Sequence, residues 1–382
     1  MRQTSSRAMI QPFEVMEAFR EAEALEMQGR DIVHFSLGQP GNTAPAPVLA
    51  DVAEALANNS FGYTDARGMP ALREKIAEHY KTRYGLEIPT HRICVTVGSS
   101  AAYFLSLIAM FEVGDKIAIA RPCYPAYPRM MEALGLEPVY IDVDETHRFQ
   151  PTWEMIKPLV GKVQGMILAS PSNPAGTIIH KGEMARIAKG CDAHGIRLLS
   201  DEIYHHVSYG EETASALSDS DSVITLNSFS KYYLLPGWRL GWAVVPESLA
   251  KTYENLVQNF FISPPAPSQY AALKVFEHMD ILQGEVVKYT ANRERLMTLL
   301  REASITEFVE PEGAFYIYAN ISNLADNAQD FCKRMLHEAG VAAVPGNDFD
   351  ELRGHHYVRF SFSGSPERIE EGVKRLKEWL RK

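Results

Sequence analysis

The chain has 382 residues, of which 46% are hydrophobic and 23% are charged. This mixture excludes a disordered or fibrous protein, and the length favours two hydrophobic cores over one. Because the formal net charge of −10 repels nucleic-acid phosphates and anionic lipid headgroups, we expect neither nucleic acid nor a membrane as a partner.

Targeting and redox features point to a cytoplasmic protein. The N-terminus lacks the features of an export signal, and no stretch reaches the roughly 20 apolar residues of a membrane helix. The four cysteines are scattered without a CxxC pair, which is typical of a reducing compartment. The adjacent pairs His205-His206 and His355-His356 are not spaced to share a metal ion, so we predict no metal site.

The predicted elements change in character along the chain. An amphipathic helix at about residues 11–28 is followed by an extended, turn-rich run at residues 35–47. Helical stretches then alternate with seven short apolar runs, at residues 93–97, 116–120, 138–143, 165–169, 197–200, 223–227 and 240–245. This alternation predicts an α/β fold with a mostly parallel seven-stranded sheet between helices, and ligands bind at the carboxyl ends of such strands.

The pattern after residue 281 differs and predicts a smaller α+β domain. Its predicted elements are a helix at 281–301, a strand at 314–321, a helix at 328–339, a strand at 357–361 and a helix from 366. We predict a large domain of residues 46–280 and a small domain that combines residues 1–45 with residues 281–382.

Polar residues follow several of the predicted strands. Ser99 and Ser100 precede a predicted helix at residues 101–110, where free N–H groups favour an anion such as phosphate, although a plain serine helix cap is the alternative. Asn173 lies in a proline-rich turn that follows a strand and can direct its amide into the crevice, although an ordinary turn would look similar. Asp201 ends an apolar strand, so it either faces a cation or caps a helix.

A lysine and an arginine follow the next strand. Lys231 lies in an apolar setting, which lowers the pKa of a lysine and makes it a nucleophile towards carbonyls, and Arg239 matches the geometry of a phosphate. Together they indicate an aldehyde that carries a phosphate. Pyridoxal phosphate is such an aldehyde, and it requires a Schiff-base lysine, an acidic partner for its ring nitrogen and a phosphate cradle.

At this point the sequence resembles the class I/II aminotransferases, which are fold type I pyridoxal phosphate enzymes of the aspartate aminotransferase type. The resemblance covers essentially the whole chain. Its most specific motif is Ser228-Phe229-Ser230-Lys231 followed by Gly237-Trp238-Arg239-Leu240-Gly241-Trp242.

The resemblance implies a role for each matching residue. Lys231 would hold the cofactor and move the substrate proton, and Asp201 would pair with the pyridine nitrogen. Asn173 and Tyr204 would bind the 3-oxygen of the ring, with Tyr204 counted among the catalytic residues, and Tyr124 would stack on the ring, a core position being its alternative. The phosphate cradle would consist of Ser99, Ser100, Ser228, Arg239 and, from the partner subunit of a homodimer, Tyr63.

The substrate side of the site also follows from the resemblance. Arg359 lies in an apolar strand, and its family counterpart clamps the substrate carboxylate together with the backbone of Gly38, while Asn173 also faces the substrate. A structural salt bridge is the alternative for Arg359.

The implied reaction is transfer of the amino group of an L-amino acid to a 2-oxo acid, by a ping-pong mechanism through pyridoxamine phosphate. Aspartate, alanine or aromatic donors are expected, and no arginine is obviously placed for a second carboxylate. A pyridoxal phosphate lyase that eliminates from the β-carbon is the alternative. A ligand-sensing regulator without activity is a further alternative, which the short N-terminus and the acidic net charge of the chain disfavour.

Overall fold

The computed structural model describes residues 4–58 and 61–382. The helices within these residues are α1 (Glu14–Met27), α2 (Ala46–Asn58), α3 (Pro70–Tyr84), α4 (Gly98–Met110), α5 (Ala126–Ala133), α6 (Trp153–Ile156), α7 (Lys181–Ala193), α8 (Ala250–Phe261), α9 (Ala266–Val275), α10 (Met279–Glu302), α11 (Ala328–Arg334) and α12 (Pro366–Leu380). The strands are β1 (Val33–His34), β2 (Ile93–Thr96), β3 (Lys116–Arg121), β4 (Glu137–Asp142), β5 (Gly165–Ala169), β6 (Arg197–Asp201), β7 (Ile224–Ser228), β8 (Gly241–Val244), β9 (Glu307–Phe308), β10 (Tyr316–Asn320), β11 (Val341–Ala342), β12 (Val344–Pro345) and β13 (Tyr357–Ser361).

The main sheet has seven strands in the order β2-β8-β7-β6-β5-β3-β4. All neighbours are parallel except β8, which is antiparallel to both β2 and β7. Each predicted apolar run matches one of these strands to within one residue at either end. The predicted α/β fold with a mostly parallel seven-stranded sheet is therefore confirmed.

Helices cover both faces of this sheet. Along β5, Met166 and Leu168 belong to a core cluster that includes Met184 of α7, whereas Ile167 belongs to a cluster that includes Leu105 of α4. Successive side chains of a strand point to opposite faces, so a strand buried on both sides reads as a continuous apolar run. This is why the local sequence predicted the central strands well.

The remaining strands form smaller sheets near the chain ends. Strands β12, β13, β10 and β9 make an antiparallel sheet in that order, and β1 pairs in parallel with β11. Helix α1 packs on this region, because Ala22 and Leu25 cluster with Leu336 and Ala342. The predicted helices and strands after residue 281 are present, and Met335–Ala339 continue α11 as a π-helix. The division of the chain at residues 46 and 281 stays a prediction.

Short elements escaped the sequence analysis. Strands β1, β9, β11 and β12 contain two residues each, too few for a periodic pattern to register. Among the described helices, none combines the length and apolar character needed to cross a membrane.

Candidate active site

A cavity of about 510 Å³ opens at the carboxyl ends of β5, β6 and β7. Parallel strands bring the residues that follow them to one edge of the sheet, so the polar residues predicted from separate strands meet there. Eleven of the twelve predicted site residues line this cavity, and they are Gly38, Ser99, Ser100, Tyr124, Asn173, Asp201, Tyr204, Ser228, Lys231, Arg239 and Arg359.

Asp201 is the last residue of β6 and is only 6% exposed. Its carboxylate accepts hydrogen bonds from the Tyr127 hydroxyl at 2.5 Å and from the Ile203 N–H at 3.1 Å. Burial raises the pKa of Asp201 to about 6, although the hydrogen bonds from Tyr127 and Ile203 and the positive charge of Lys231 act in the opposite direction. Asp201 caps no helix, because β6 runs into a turn, and it forms no salt bridge with any described residue.

Lys231 lies in the turn after β7, with its ammonium group inside the cavity. Nζ donates to the Gly38 carbonyl oxygen at 2.5 Å and lies 5.4 Å from the centroid of the Tyr204 ring. Burial lowers the pKa of Lys231 to about 8, and the positive charges of Arg359 and Arg239 add to this effect, while Asp201 opposes it. A neutral, nucleophilic amine is therefore accessible close to neutral pH.

The start of α4 and Arg239 form an anion-binding corner. Gly98 begins α4 with φ of 72°, and a Cβ atom there would lie 2.6 Å from Nη2 of Arg239. Helix α4 thus begins three residues earlier than predicted, and Ser99 and Ser100 lie in its first turn. The alternative that a serine caps this helix is wrong, because the N-cap residue is Val97 and no side chain forms a cap hydrogen bond. Free N–H groups at a helix N-terminus and a guanidinium suit a phosphate.

The Ser228 hydroxyl orders the turn that carries the lysine. Its oxygen accepts the N–H of Ser230 at 3.0 Å, one residue before Lys231. Both serines line the cavity, and both are buried. Ser228 thus connects the end of β7 with the position of the lysine.

Arg359 of β13 is 2% exposed and faces the cavity. Nη1 donates to Asn173 Oδ1 at 2.9 Å, Nη2 donates to the Ser36 carbonyl oxygen at 3.0 Å, and the guanidinium lies 4.3 Å from the centroid of the Tyr316 ring. Its buried Nε has no hydrogen-bond partner in the described chain. No described carboxylate forms a salt bridge with Arg359, which argues against the alternative of a structural salt bridge.

Three tyrosines complete the cavity wall near Lys231. The hydroxyls of Tyr204 and Tyr316 are 2.8 Å apart. Tyr124 is 36% exposed, so the alternative of a core position is wrong, and its ring stacks against Phe13 with centroids 6.0 Å apart. Aromatic side chains therefore flank the space above Asp201.

Tyr127, Tyr316 and the residues that α1 contributes to the cavity wall were not predicted from the sequence. Tyr127 follows Tyr124 by three residues at the start of α5, so the spacing was a usable signal. Tyr316 lies two residues from the position that pairs with Arg359, since the register of β10 and β13 places Tyr318 opposite Arg359. That register is visible only in the folded chain.

Tyr63 is the one predicted residue outside the cavity. Its side chain is 84% exposed on the loop before α3. The loop itself is anchored, because the amide of Gln269 donates to Thr64 Oγ1 at 3.0 Å and its oxygen accepts the Met69 N–H at 2.6 Å. Tyr63 therefore does not contribute to the cavity of its own chain.

The adjacent histidines His205 and His206 belong to a buried hydrogen-bond network. His205 Nδ1 lies 2.7 Å from the Tyr84 hydroxyl and His206 Nε2 lies 2.9 Å from His79 Nε2, so these side chains join one buried polar network outside the cavity lining. Burial lowers the pKa of both His205 and His206, which keeps the network neutral.

These observations define an enzyme with a nucleophilic lysine, a buried carboxylate and a buried arginine in one cavity. A family model for class I and II aminotransferases matches residues 30–376. Valine–pyruvate aminotransferase of Mycobacterium tuberculosis is 41% identical over 378 residues, which cover 98% of this chain and 97% of that protein. The (5-formylfuran-3-yl)methyl phosphate transaminase of Methanocaldococcus jannaschii is 35% identical over 375 residues, 97% of each chain.

Solved structures lead to the same family. The crystal structure of an aminotransferase from Mycobacterium tuberculosis has a TM-score of 0.98 with 40% identity, and the match covers 100% of both chains. The chain belongs to the class I and II aminotransferases, as the resemblance in its sequence predicted, and it is a transaminase.

Proposed function

We propose that this transaminase binds pyridoxal phosphate on Lys231 and moves the amino group of a neutral, apolar L-amino acid to a 2-oxo acid in a ping-pong reaction. The proposal rests mainly on three residues that meet in one cavity. They are Asp201, a buried carboxylate without a salt-bridge partner, Lys231, whose pKa is lowered, and Arg359, a buried guanidinium without a carboxylate partner.

The cavity fits the cofactor group by group. Asp201 has no described cation as partner, so a protonated ring nitrogen would supply the missing positive charge. The phosphate fits the first turn of α4 with Ser99 and Ser100, together with Ser228 and Arg239, where Gly98 leaves room that a Cβ atom would fill. Tyr124 would stack on the ring, and Asn173 and Tyr204, which line the same cavity, would bind its 3-oxygen. When bound, the cofactor supplies an electron sink that makes the α-hydrogen of an amino acid acidic.

The protein residues bind the substrate and move its proton. Arg359 would hold the α-carboxylate in a bidentate fork. Its guanidinium is available for this role, because its partners Asn173 and Ser36 are neutral and its buried Nε has no hydrogen-bond partner in the described chain. The Gly38 backbone lies next to this position, since a Cβ atom at Gly38 would lie 3.9 Å from Nη2 of Arg359. Lys231 Nζ would then take the proton from the α-carbon, because its lowered pKa makes it a base near neutral pH.

The charges in the cavity limit the donor. The charged side chains among its described lining residues are Asp201, Lys231, Arg239 and Arg359, and each has a role in binding the cofactor or the α-carboxylate. None remains for a second carboxylate, so alanine-like and aromatic donors are favoured over aspartate. The name of the valine–pyruvate relative, which pairs an apolar amino acid with an oxo acid that has no second carboxylate, supports this choice.

A homodimer would complete the phosphate site. Tyr63 projects from an anchored loop, and the exposed Ile262 precedes Ser263, whose hydroxyl accepts the Thr64 N–H at 3.4 Å. This hydrogen bond joins the two segments that expose Tyr63 and Ile262, so both side chains are available to a partner subunit. Tyr63 would therefore reach the cavity of the partner subunit.

Absorbance spectroscopy tests the proposal. Purified protein with pyridoxal phosphate should show a cofactor band that Lys231→Ala lacks. Alanine or an aromatic amino acid should convert this band to that of the amino form, and a 2-oxo acid should restore it. Protein without a cofactor band would overturn the proposal, and release of ammonia without any oxo acid would favour a lyase.

A further inference from the structure

We infer that Tyr316 is a positioning residue of this enzyme, which holds the Tyr204 phenol towards the cofactor and strengthens the hydrogen bond that this phenol donates there. The inference rests on the proposed function, because it assumes that Tyr204 binds the 3-oxygen of pyridoxal phosphate. It goes further by assigning a role to a second tyrosine, which acts on the cofactor only through the first.

The two tyrosines form one hydrogen bond whose direction the cofactor would fix. Their hydroxyl oxygens lie 2.8 Å apart. A phenol has a single proton, so if Tyr204 donates to the 3-oxygen, the bond between the tyrosines must be donated by Tyr316. Burial raises the pKa of both phenols, so both protons are present at neutral pH. The two hydroxyls and the 3-oxygen would thus form one chain of hydrogen bonds.

Such a chain makes Tyr204 a stronger donor. A hydroxyl that accepts a hydrogen bond becomes more polarised, and a low local dielectric enhances this effect. Tyr204 is 3% exposed and Tyr316 is 0% exposed, so water hardly competes for the bond between them. A stronger donor stabilises negative charge on the 3-oxygen and therefore lowers the affinity of the lysine-bound cofactor for a proton.

The surroundings of Tyr316 hold it in this position. Its ring packs edge-on against the Tyr204 ring with centroids 5.8 Å apart, and the Arg359 guanidinium lies 4.3 Å from its own centroid. The positive charge of Arg359 opposes the effect of burial on the pKa of Tyr316, which makes this phenol a better donor. The charged or titratable neighbours of Tyr204 among the described residues also include Tyr124 and Lys231. Tyr316 therefore joins the proposed carboxylate clamp to the proposed ligand of the 3-oxygen.

A pH titration of the cofactor absorbance tests the inference, since the protonated and unprotonated forms of the lysine-bound cofactor absorb at different wavelengths. Tyr316→Phe keeps the ring and loses only the hydroxyl, so the proton affinity of the bound cofactor should rise roughly threefold or more. The matched control is Tyr209→Phe. The Tyr209 hydroxyl donates to the Ala314 oxygen at 2.5 Å, and its buried ring lies 5.6 Å from the Arg293 guanidinium, outside the cavity lining. The control should titrate like the wild type.

A double variant separates positioning from a direct effect of Tyr316 on the cofactor. In the Tyr204→Phe background Tyr316 has no phenol to act through, so adding Tyr316→Phe should not raise the proton affinity further. The same rise with and without the Tyr204 hydroxyl would overturn the inference, and so would a Tyr316→Phe variant that titrates like Tyr209→Phe. A wild-type protein that shows no cofactor band dependent on Lys231 would instead refute the proposed function itself.

Discussion

The hydroxyl of Tyr127 lies 2.5 Å from Oδ2 of Asp201, so a phenol on α5 supports the carboxylate that ends β6. Burial raises the pKa of Tyr127, which keeps the phenol a hydrogen-bond donor at neutral pH. Its hydrogen bond opposes the effect of burial on Asp201 and favours the ionised carboxylate.

Tyr127→Phe should therefore weaken cofactor binding. Without the phenol the pKa of Asp201 rises further above about 6, and a neutral carboxyl group no longer attracts a protonated ring nitrogen. We expect the Kd for pyridoxal phosphate to rise roughly tenfold at pH 7 and less at pH 8.5, measured by absorbance titration. Tyr253→Phe is the control, because it removes another buried tyrosine bond, to the Ala102 oxygen at 2.8 Å, away from the cavity. Equal losses in both variants would contradict a specific role for Tyr127.

Gly98→Ala should lower cofactor affinity through Arg239. The added Cβ atom would lie 2.6 Å from Nη2 of Arg239, so the guanidinium must move away from the first turn of α4. Gly85→Ala has the same backbone cost, since φ is 69° at Gly85 and 72° at Gly98, but no atom lies within 4 Å of its Cβ position. Both variants should lose about 1 kcal/mol in the free energy of unfolding. Only Gly98→Ala should also bind pyridoxal phosphate less tightly, and unchanged binding would argue against this phosphate site.

Arg359→Lys tests the carboxylate clamp. A lysine cannot reproduce a bidentate fork, so kcat/KM for both amino acid and oxo acid should fall by roughly 100-fold. The affinity for pyridoxal phosphate should stay the same, as steady-state kinetics and cofactor titration would reveal. Arg293→Lys is a suitable control, because Arg293 also donates to a backbone oxygen, that of Pro311 at 2.6 Å, but lies outside the cavity. A loss of cofactor binding in Arg359→Lys would instead indicate a structural role.

Hybrid dimers decide whether Tyr63 acts in the partner's site. Lys231→Ala and Tyr63→Ala homodimers should both be impaired, the first completely. When the two chains are mixed, one site of each hybrid combines an intact Lys231 with an intact Tyr63, so activity should reappear. If Tyr63 acted within its own chain, neither site of the hybrid would be intact. Activity no higher than that of the parents would therefore rule out the shared site.

The buried lysine should reduce the stability of the cofactor-free protein. The pKa of Lys231 is about 8 in the folded chain, against an ordinary value of 10.5, so the folded state binds fewer protons than the unfolded state between these values. The free energy of unfolding should thus increase with pH across this window, and below pH 8 the destabilisation is complete.

Lys231→Met removes this effect. At pH 7 the variant should unfold with a free energy on the order of 2 kcal/mol higher than that of the wild type, and the difference should shrink towards pH 10.5. Urea unfolding at several pH values measures it. Lys374→Met replaces an exposed lysine and should show no such pH-dependent gain. A variant no more stable than the wild type at pH 7 would contradict the lowered pKa.

The sequence by itself determined the sheet and the reactive residues at its edge. The apolar runs predicted the seven strands of the main sheet to within one residue, and its central strands are buried on both faces, which requires a local run of apolar side chains. The polar residues that follow them, Asn173, Asp201 and Lys231, had to meet, since parallel strands end at one edge.

Only the tertiary structure decided which side chains complete the cavity. The phenol of Tyr127 reaches Asp201 across 74 positions, and Val15 is held by Asp348 across 333 positions. Tyr316 joins Arg359 through the register of two antiparallel strands. A local sequence pattern cannot predict such pairs, because the two residues of each pair are brought together by the packing of segments that are distant in the chain.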